Sequence, residues 1–395
     1  MKTVSIIGGG AASFITADLL SSKFNVTIYE KGKTIGRKFL VAGKGGFNLA
    51  HNLTGNSLFQ KYTPKGILTP ALTQFGVNEL RNWYTQMDVP TFVGSSNRVF
   101  PIKGISPATV LRKIKTKLSN QGVTLLLEHE FTGFTPEGIP LISKNNEITK
   151  LKSDIVIFNL GGGSWKVTGS NSEWLSYFNN AGIKTTPFQP SNCGLNVAWK
   201  PEISNFHVGK PLKNISVTHL ATVQKGEALI TEYGLEGNAI YPISARVRDS
   251  LNTDKRATIF LDLLPALDSQ QIFQKIKNRK PSNFGKLLKL DSAKMAITKG
   301  YLTKDDFFDI TQFSKKIKSI EIPINSLRPV EEAISTVGGV STSSLTKDFQ
   351  LKKLPNTYCI GEMVNWDAPT GGFLLQGCFS MGYFVAQSIL ATHSK

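Results

Sequence analysis

The chain has 395 residues, 40% hydrophobic and 19% charged, which is enough for a sizeable core and too long for one ordinary domain. Its formal charge of +18 leaves anionic substrates or nucleic acid open as partners, and its 35 glycines and 18 prolines are spread without collagenous or low-complexity bias. Cys193, Cys359 and Cys378 form no CxxC pair, which excludes a disulfide framework and points to a reducing cytoplasm.

Met1-Lys2 leads straight into Thr3–Ile7, a short β-branched run that reads as a buried parallel strand; the glycines behind it leave no secretory h-region. Gly8-Gly9-Gly10-Ala11-Ala12-Ser13 follows, then a helical run through Leu20, then a second strand over 25–29 that Glu30 ends. This is the order of a dinucleotide-binding unit. Gly8 permits the tight turn, Gly10 lets the backbone approach a pyrophosphate, and the amides of Ala11 and Ala12 open the helix against it. Glu30 lies 20 residues after Gly10, where a carboxylate accepts hydrogen bonds from a ribose 2′-hydroxyl and disfavours a 2′-phosphate. Ser13 stands at the third glycine position, where helix and sheet pack closely. By itself this fingerprint admits FAD or NAD.

Residues 35–48 form a glycine-dense, basic loop directly after the acid. Its amides, Gly45 and Asn48 among them, and the cations Lys31, Arg37, Lys38 and Lys44 suit a long anionic cofactor running back over the loop, which favours FAD. Leu111, Ile114 and Leu118 then fall at helical spacing, so Arg112, Lys113, Lys115 and Lys117 read as a solvated helix face. Residues 122–131 read as a strand, and 154–160 as a buried strand running into Gly161-Gly162-Gly163. No acidic residue occurs between Glu173 and Glu202, and Trp165-Lys166 replace a helix start, so a second dinucleotide site is not expected. NAD(P)H would visit only transiently.

Residues 217–241 alternate short strand-like runs with glycines, and 270–308 is lysine-rich with helical periodicity. The segment 230–241 concentrates Glu232, Tyr233, Glu236 and Tyr241. Glu232 or Tyr233 could exchange a proton while hydride moves; equally, Tyr233-Gly234 could be a hairpin corner. His51, His129, His207, His219 and His393 show no metal-ligand spacing, and no metal is expected. Residues 356–360 read as a strand leading to Gly361-Glu362, and 367–376 as the opening of a helix. Pro369 and Thr370 resemble its start, and Gly371-Gly372 leave amides unobstructed ahead of Phe373. A helix N-terminus there would stabilise the negative charge of a reduced flavin. No stretch approaches the roughly 20 consecutive apolar residues of a membrane span.

At this point longer motifs become recognisable: "GRKFLVAGKGGFNLAHN" (36–52), "RVFPIKGISPATVLRKI" (98–114), "TEYGLEGNAIYPISARVRD" (231–249), "RPVEEAISTVGGV" (328–340) and "CIGEMVNWDAPTGGFLLQGCFSMG" (359–382). Together they resemble the bacterial BaiN/aminoacetone-oxidase-like family of NAD(P)/FAD-dependent flavoproteins, across nearly the whole chain. That resemblance implies an α/β fold: a glutathione-reductase-type, FAD-binding Rossmann-like domain from residues 1–190 and 326–395. It implies an inserted β-rich substrate domain over 191–265 and a small helical segment over 266–325. Phe131 matches the position whose backbone meets the adenine, Gly161 and Gly162 pass near the cofactor, and Glu362 matches an acid that contacts the ribityl chain. The family often has Cys where this chain has Phe47, so no thiol role is expected there. The implied activity is FAD-dependent oxidoreduction of a small organic substrate by hydride transfer at flavin N5. NAD(P)H or oxygen would be the redox partner. The charge of +18 keeps an RNA-modifying or RNA-binding flavoprotein as the alternative.

Overall fold

A computed structural model describes residues 1–41 and 46–393. Lys44 and Gly45, expected at the cofactor, lie outside the described residues. The chain divides into two compact units, residues 1–189 with 336–395, and residues 190–335.

In the first unit Thr3–Ile7 is the middle strand of a five-stranded sheet. Across it the order is Thr357–Cys359, Ile155–Phe158, Thr3–Ile7, Asn25–Glu30 and Thr124–Leu127. Every neighbouring pair is parallel. Parallel strands covered on both faces are apolar throughout, and all four residues of Ile155–Phe158 are buried. Each contributes about 1.5–3 kcal/mol of transfer free energy. The order reverses between Thr3–Ile7 and Ile155–Phe158, and in such sheets the ligand crevice lies outside the carboxyl ends of the strands at that point.

The strand expected over 122–131 is broken in two. Glu128 takes a left-handed φ of +58°, its amide donates to the Gly32 carbonyl, and the His129 amide donates to that of Glu30. Thr124–Leu127 therefore closes the parallel sheet, while Glu130–Phe134 opens a separate three-stranded antiparallel one. The Phe131 ring sits in an aromatic cluster with Phe134, Phe158 and Phe178, at centroid distances of 5.1, 5.0 and 6.1 Å.

Helix Pro107–Asn120 forms as its spacing predicts, capped by Ser106 and burying Val110, Leu111, Ile114 and Leu118. One lysine of its supposedly solvated face does more. Lys117 reaches the buried Asp18 carboxylate at 2.6 Å, which Trp83 and Gln121 also bond at 2.6 and 2.7 Å.

The last helix, Phe373–His393, is long and apolar enough to cross a membrane by length and composition, which the sequence reading did not register. In this unit 56% of its most apolar window is buried, as in a core helix. It packs on helix Ala11–Leu20 at Gly382, where an added Cβ would lie 2.4 Å from the Ala12 carbonyl oxygen.

The second unit is built on a seven-stranded sheet, in the order Ile320–Ile324, Ala257–Asp262, Pro211–His219, Thr222–Ile230, Gly234–Glu236, Leu195–Asn196 and Ser326–Leu327. Tyr241, expected in a strand, instead opens helix Tyr241–Asp254. Segments 191–265 and 266–325 share one core: Ile272, Ile276, Ile297 and Phe313 pack with Ile215, Val217, Ile259 and Leu261. Residues 326–335 also belong here, because Leu195 pairs with Leu327 and Asn196 with Ser326.

Candidate cofactor site

Helix Ala11–Leu20 starts at the switch point of the parallel sheet. Its N-cap is Gly10, and no side chain caps it. The first amides are thus open to an anion, and the helix dipole favours one. The cradle is made for backbone. Gly8 has φ +104°, and a Cβ there would lie 2.1 Å from the Asn159 carbonyl oxygen. At Gly10 a Cβ would come within 3.0 Å of the Asn159 side chain, and at Gly361 within 2.5 Å of it.

Asn159, unmarked in the sequence, therefore bridges the first glycine turn and the loop after the fifth strand. Its amide is best turned so that Nδ2 donates to the Ile360 carbonyl while Oδ1 accepts from Ser13. Ser13 fits its glycine position because its hydroxyl has polar neighbours: Oγ lies 2.6 Å from the Gly8 carbonyl oxygen and 2.6 Å from the Asn159 amide, and its one proton goes to one of the two oxygens it faces.

Glu30 ends the second strand as expected. Its Oε2 accepts from the Gly9 amide at 2.9 Å and its Oε1 from the Gly32 amide at 2.7 Å. Two bonds fix the carboxylate beside the glycine turn, and its remaining lone pairs can still accept from a ribose hydroxyl.

The three expected cations among the described residues, Lys31, Arg37 and Lys38, are engaged within the unit. Lys31 faces Glu130 and Asn171, and Arg37 donates to the Val167 carbonyl at 2.8 Å. Arg37 and Lys38 lie on a short helix, Arg37–Val41, rather than in an open loop. Lys38 Nζ bonds Ser164 Oγ at 3.1 Å and Glu362 Oε2 at 3.0 Å. Thr336, which the sequence did not single out, holds the other oxygen of Glu362 through its amide at 3.0 Å. Gly162 passes so close that a Cβ would lie 2.7 Å from the Glu362 carboxyl carbon.

At the other end, Gly371 and Gly372 have φ of +111° and +96°. They turn into the helix that begins at Phe373 rather than lying inside it, since left-handed residues cannot continue a right-handed helix. Cys378, in the following turn, has its thiol pushed up to about 12, by burial first and by the Glu362 carboxylate second. It stays protonated and is no nucleophile.

In the second unit Glu232 and Tyr233 form a two-residue hairpin corner, closed by bonds between Thr231 and Gly234 at 2.8 and 3.2 Å. Glu232 is exposed. Tyr233 is held firmly: its hydroxyl donates to Glu236, and the Arg328 guanidinium sits 4.0 Å over its ring. Burial, then the bond to Glu236, raises the phenol's pKa well above its ordinary value, so it stays protonated at neutral pH.

A parallel sheet of this order, with its uncapped glycine turn, its carboxylate on the second strand and an antiparallel inserted sheet, defines an FAD-binding Rossmann-like flavoprotein fold. The model of the HI0933-like protein Rossmann domain family matches residues 2–388. The chain belongs to that family of flavoprotein oxidoreductases, and the resemblance read from its motifs is borne out. A 3-dehydro-bile acid delta(4,6)-reductase of Clostridium scindens is 23% identical, over 98% of this chain and 99% of that protein. A ribosomal RNA dihydrouridine synthase of Haemophilus influenzae is 24% identical, over 97% of each. The crystal structure of a 3-ketosteroid delta1-dehydrogenase from Sterolibacterium denitrificans shares the fold, with a TM-score of 0.51 and 12% identity over 99% of both chains.

Proposed function

We propose that this protein is an FAD-dependent reductase that saturates a carbon–carbon double bond conjugated to a carbonyl, using NAD(P)H. The observation that carries the cofactor reading is the switch-point cradle, where an uncapped helix start and the doubly bonded Glu30 lie side by side. Gly8, Gly10, Ala11 and Ala12 would hold the pyrophosphate and Glu30 the adenosine ribose. Lys38, Glu362 and Gly162 would flank the ribityl chain, and Gly371, Gly372 and Phe373 the ring. Bound FAD would supply a two-electron carrier able to accept hydride from NAD(P)H and pass it on.

The reaction type is supported by the names of two relatives, a delta(4,6)-reductase and a dihydrouridine synthase, each of which describes saturation of a double bond. In such a step hydride adds to one alkene carbon, a proton adds to the carbon beside the carbonyl, and NAD(P)H becomes NAD(P)⁺. Glu232 and Tyr233, the residues expected from the sequence to exchange that proton, lie in the second unit, where Tyr233 directs its phenol proton at Glu236 under the Arg328 guanidinium. Anaerobic mixing with NADH and NADPH tests the reading: one should bleach the flavin, and an enone should restore its colour. Peroxide formed from an amine, with the flavin left oxidised by both nucleotides, would overturn it.

A second reading, that the reducible group is carried on RNA, is favoured by charge. Segment 266–325 holds 12 Lys and Arg against 6 Asp and Glu, and Asp268, Asp291 and Asp309 are occupied as helix caps. Lys275, Lys277, Arg279 and Lys280 are all exposed. RNA binding that weakens steeply with salt would support this reading; no binding at moderate salt would refute it.

A further inference from the structure

We propose that Gln376, Asn48 and His51 form a polar wall that recognises the carbonyl-bearing pyrimidine half of the flavin ring, an inference that rests on the FAD reading above. Strand Ala50–His51 crosses the start of the last helix in close contact. A Cβ on Gly372 would lie 2.5 Å from the Ala50 carbonyl carbon, and the His51 ring stacks on Phe373 at 4.6 Å and 13°. The His51 amide donates to Gln376 Oε1 at 3.4 Å.

Three side-chain nitrogens on the last helix, this strand and its lead-in lack partners among the described residues: Gln376 Nε2, His51 Nδ1 and, two residues before the strand, Asn48 Nδ2. All three atoms are shielded from solvent, and Gln376 as a residue is 0% exposed. Folded proteins pair nearly every buried polar group, because an unmet donor costs its full desolvation. Two at the strand–helix junction and a third two residues before the strand call for a polar group from outside the chain.

The chemistry of that group is constrained. The two amide nitrogens donate, so it must present acceptors. Arg98 pairs with His51 across the strands, and its guanidinium lies beside Gly371, so the surroundings are cationic even before the helix dipole is counted. Burial, Arg98 and Lys61 in that order lower the pKa of His51, which keeps its ring neutral, so that Nδ1 accepts or donates according to the tautomer the ligand selects. The ligand edge must therefore carry carbonyl oxygens, and an N–H beside them would suit the Nδ1-acceptor tautomer of His51; it must also tolerate or acquire negative charge. The pyrimidine edge of a flavin meets each requirement: two carbonyls, the imide N–H, and the charge that appears on reduction.

Titrating FAD and, separately, ADP into wild type, Gln376→Leu and His51→Phe tests the proposal. Leucine removes the amide in an apolar setting, and phenylalanine preserves the stack on Phe373. Both variants should bind FAD about tenfold more weakly and shift its visible absorption bands, while ADP affinity stays at the wild-type level. Unchanged FAD affinity and spectrum in both variants would overturn the proposal and identify the three nitrogens as solvated by ordered water. Failure of wild type to bind either FAD or ADP would instead overturn the cofactor reading on which it rests.

Discussion

Replacing Gly382 by alanine tests how tightly the first and last helices are joined. Helix propensity alone favours the change by about 1 kcal/mol, since glycine is a poor residue inside a helix. Packing opposes it. The new Cβ would lie 2.4 Å from the Ala12 carbonyl oxygen, 2.7 Å from Thr16 Oγ1 and 3.0 Å from Ile15 Cγ2. The nearest obstacle is backbone, so the helices themselves must part. Overpacking of this kind costs about 1–3 kcal/mol. Parting the helices also stretches the longer arm of the Thr16 hydroxyl's shared bond, 3.0 Å to the Gly382 carbonyl, while its 2.8 Å bond to the Ala12 carbonyl remains. The net expectation is destabilisation by up to about 2 kcal/mol, a sizeable share of a typical domain's stability. Urea unfolding followed by tryptophan fluorescence suits the measurement, because Trp83, Trp165, Trp174 and Trp366 lie in the first unit and only Trp199 in the second. The midpoint should fall, and FAD affinity with it, since both helix starts border the candidate site. An alanine variant as stable as wild type would show that propensity wins and refute the packing account.

Three further outcomes are expected. Glu30→Gln turns one carboxylate oxygen into an NH₂ group that faces a backbone donor, so FAD should bind roughly tenfold more weakly by fluorescence titration, with ADP affected equally. Burial lowers the pKa values of His51, His207 and His393 below their ordinary 6.5. The unfolded chain then binds more protons, so stability present above pH 6.5 is lost as pH falls through the folded values. Urea midpoints at pH 7.5 and 5.5 should show that drop, and His51→Gln should reduce it. On the RNA reading, reversing the charge of Lys275, Lys277, Arg279 and Lys280 should flatten the salt dependence of RNA binding by a slope of about 4, while FAD content is unchanged.

The nucleotide end was legible because its determinants are local: strand, turn, helix and acid all fall between Thr3 and Glu30. What depended on distant partners was not. No glycine or proline marks the break at Glu128; bonds to Glu30 and Gly32, about a hundred residues earlier, impose it. Ser13 looked like a poor fit from spacing alone, because the partners that satisfy its hydroxyl include Asn159 on another strand. Gly371 and Gly372 read as the opening of the helix, whereas only their positive φ, invisible in sequence, places them before it. Segment 266–325 was set apart by the family resemblance and by helical periodicity over 270–308, yet its apolar faces are completed by the neighbouring sheet. Gln376 and Thr336 gave no signal as site residues, since each is an ordinary polar residue amid apolar or small neighbours.

The strand order also sets a timetable for synthesis. The inner strand Ile155–Phe158 emerges from the ribosome about two hundred residues before Thr357–Cys359, its partner on one side. At ordinary translation rates that interval lasts roughly ten to forty seconds. Throughout it a fully apolar strand has an unpaired edge, the feature that most readily recruits other chains. Nascent chains stalled between these points should therefore aggregate or hold chaperones, and release into solubility should come only once the fifth strand and the helix behind it have been made.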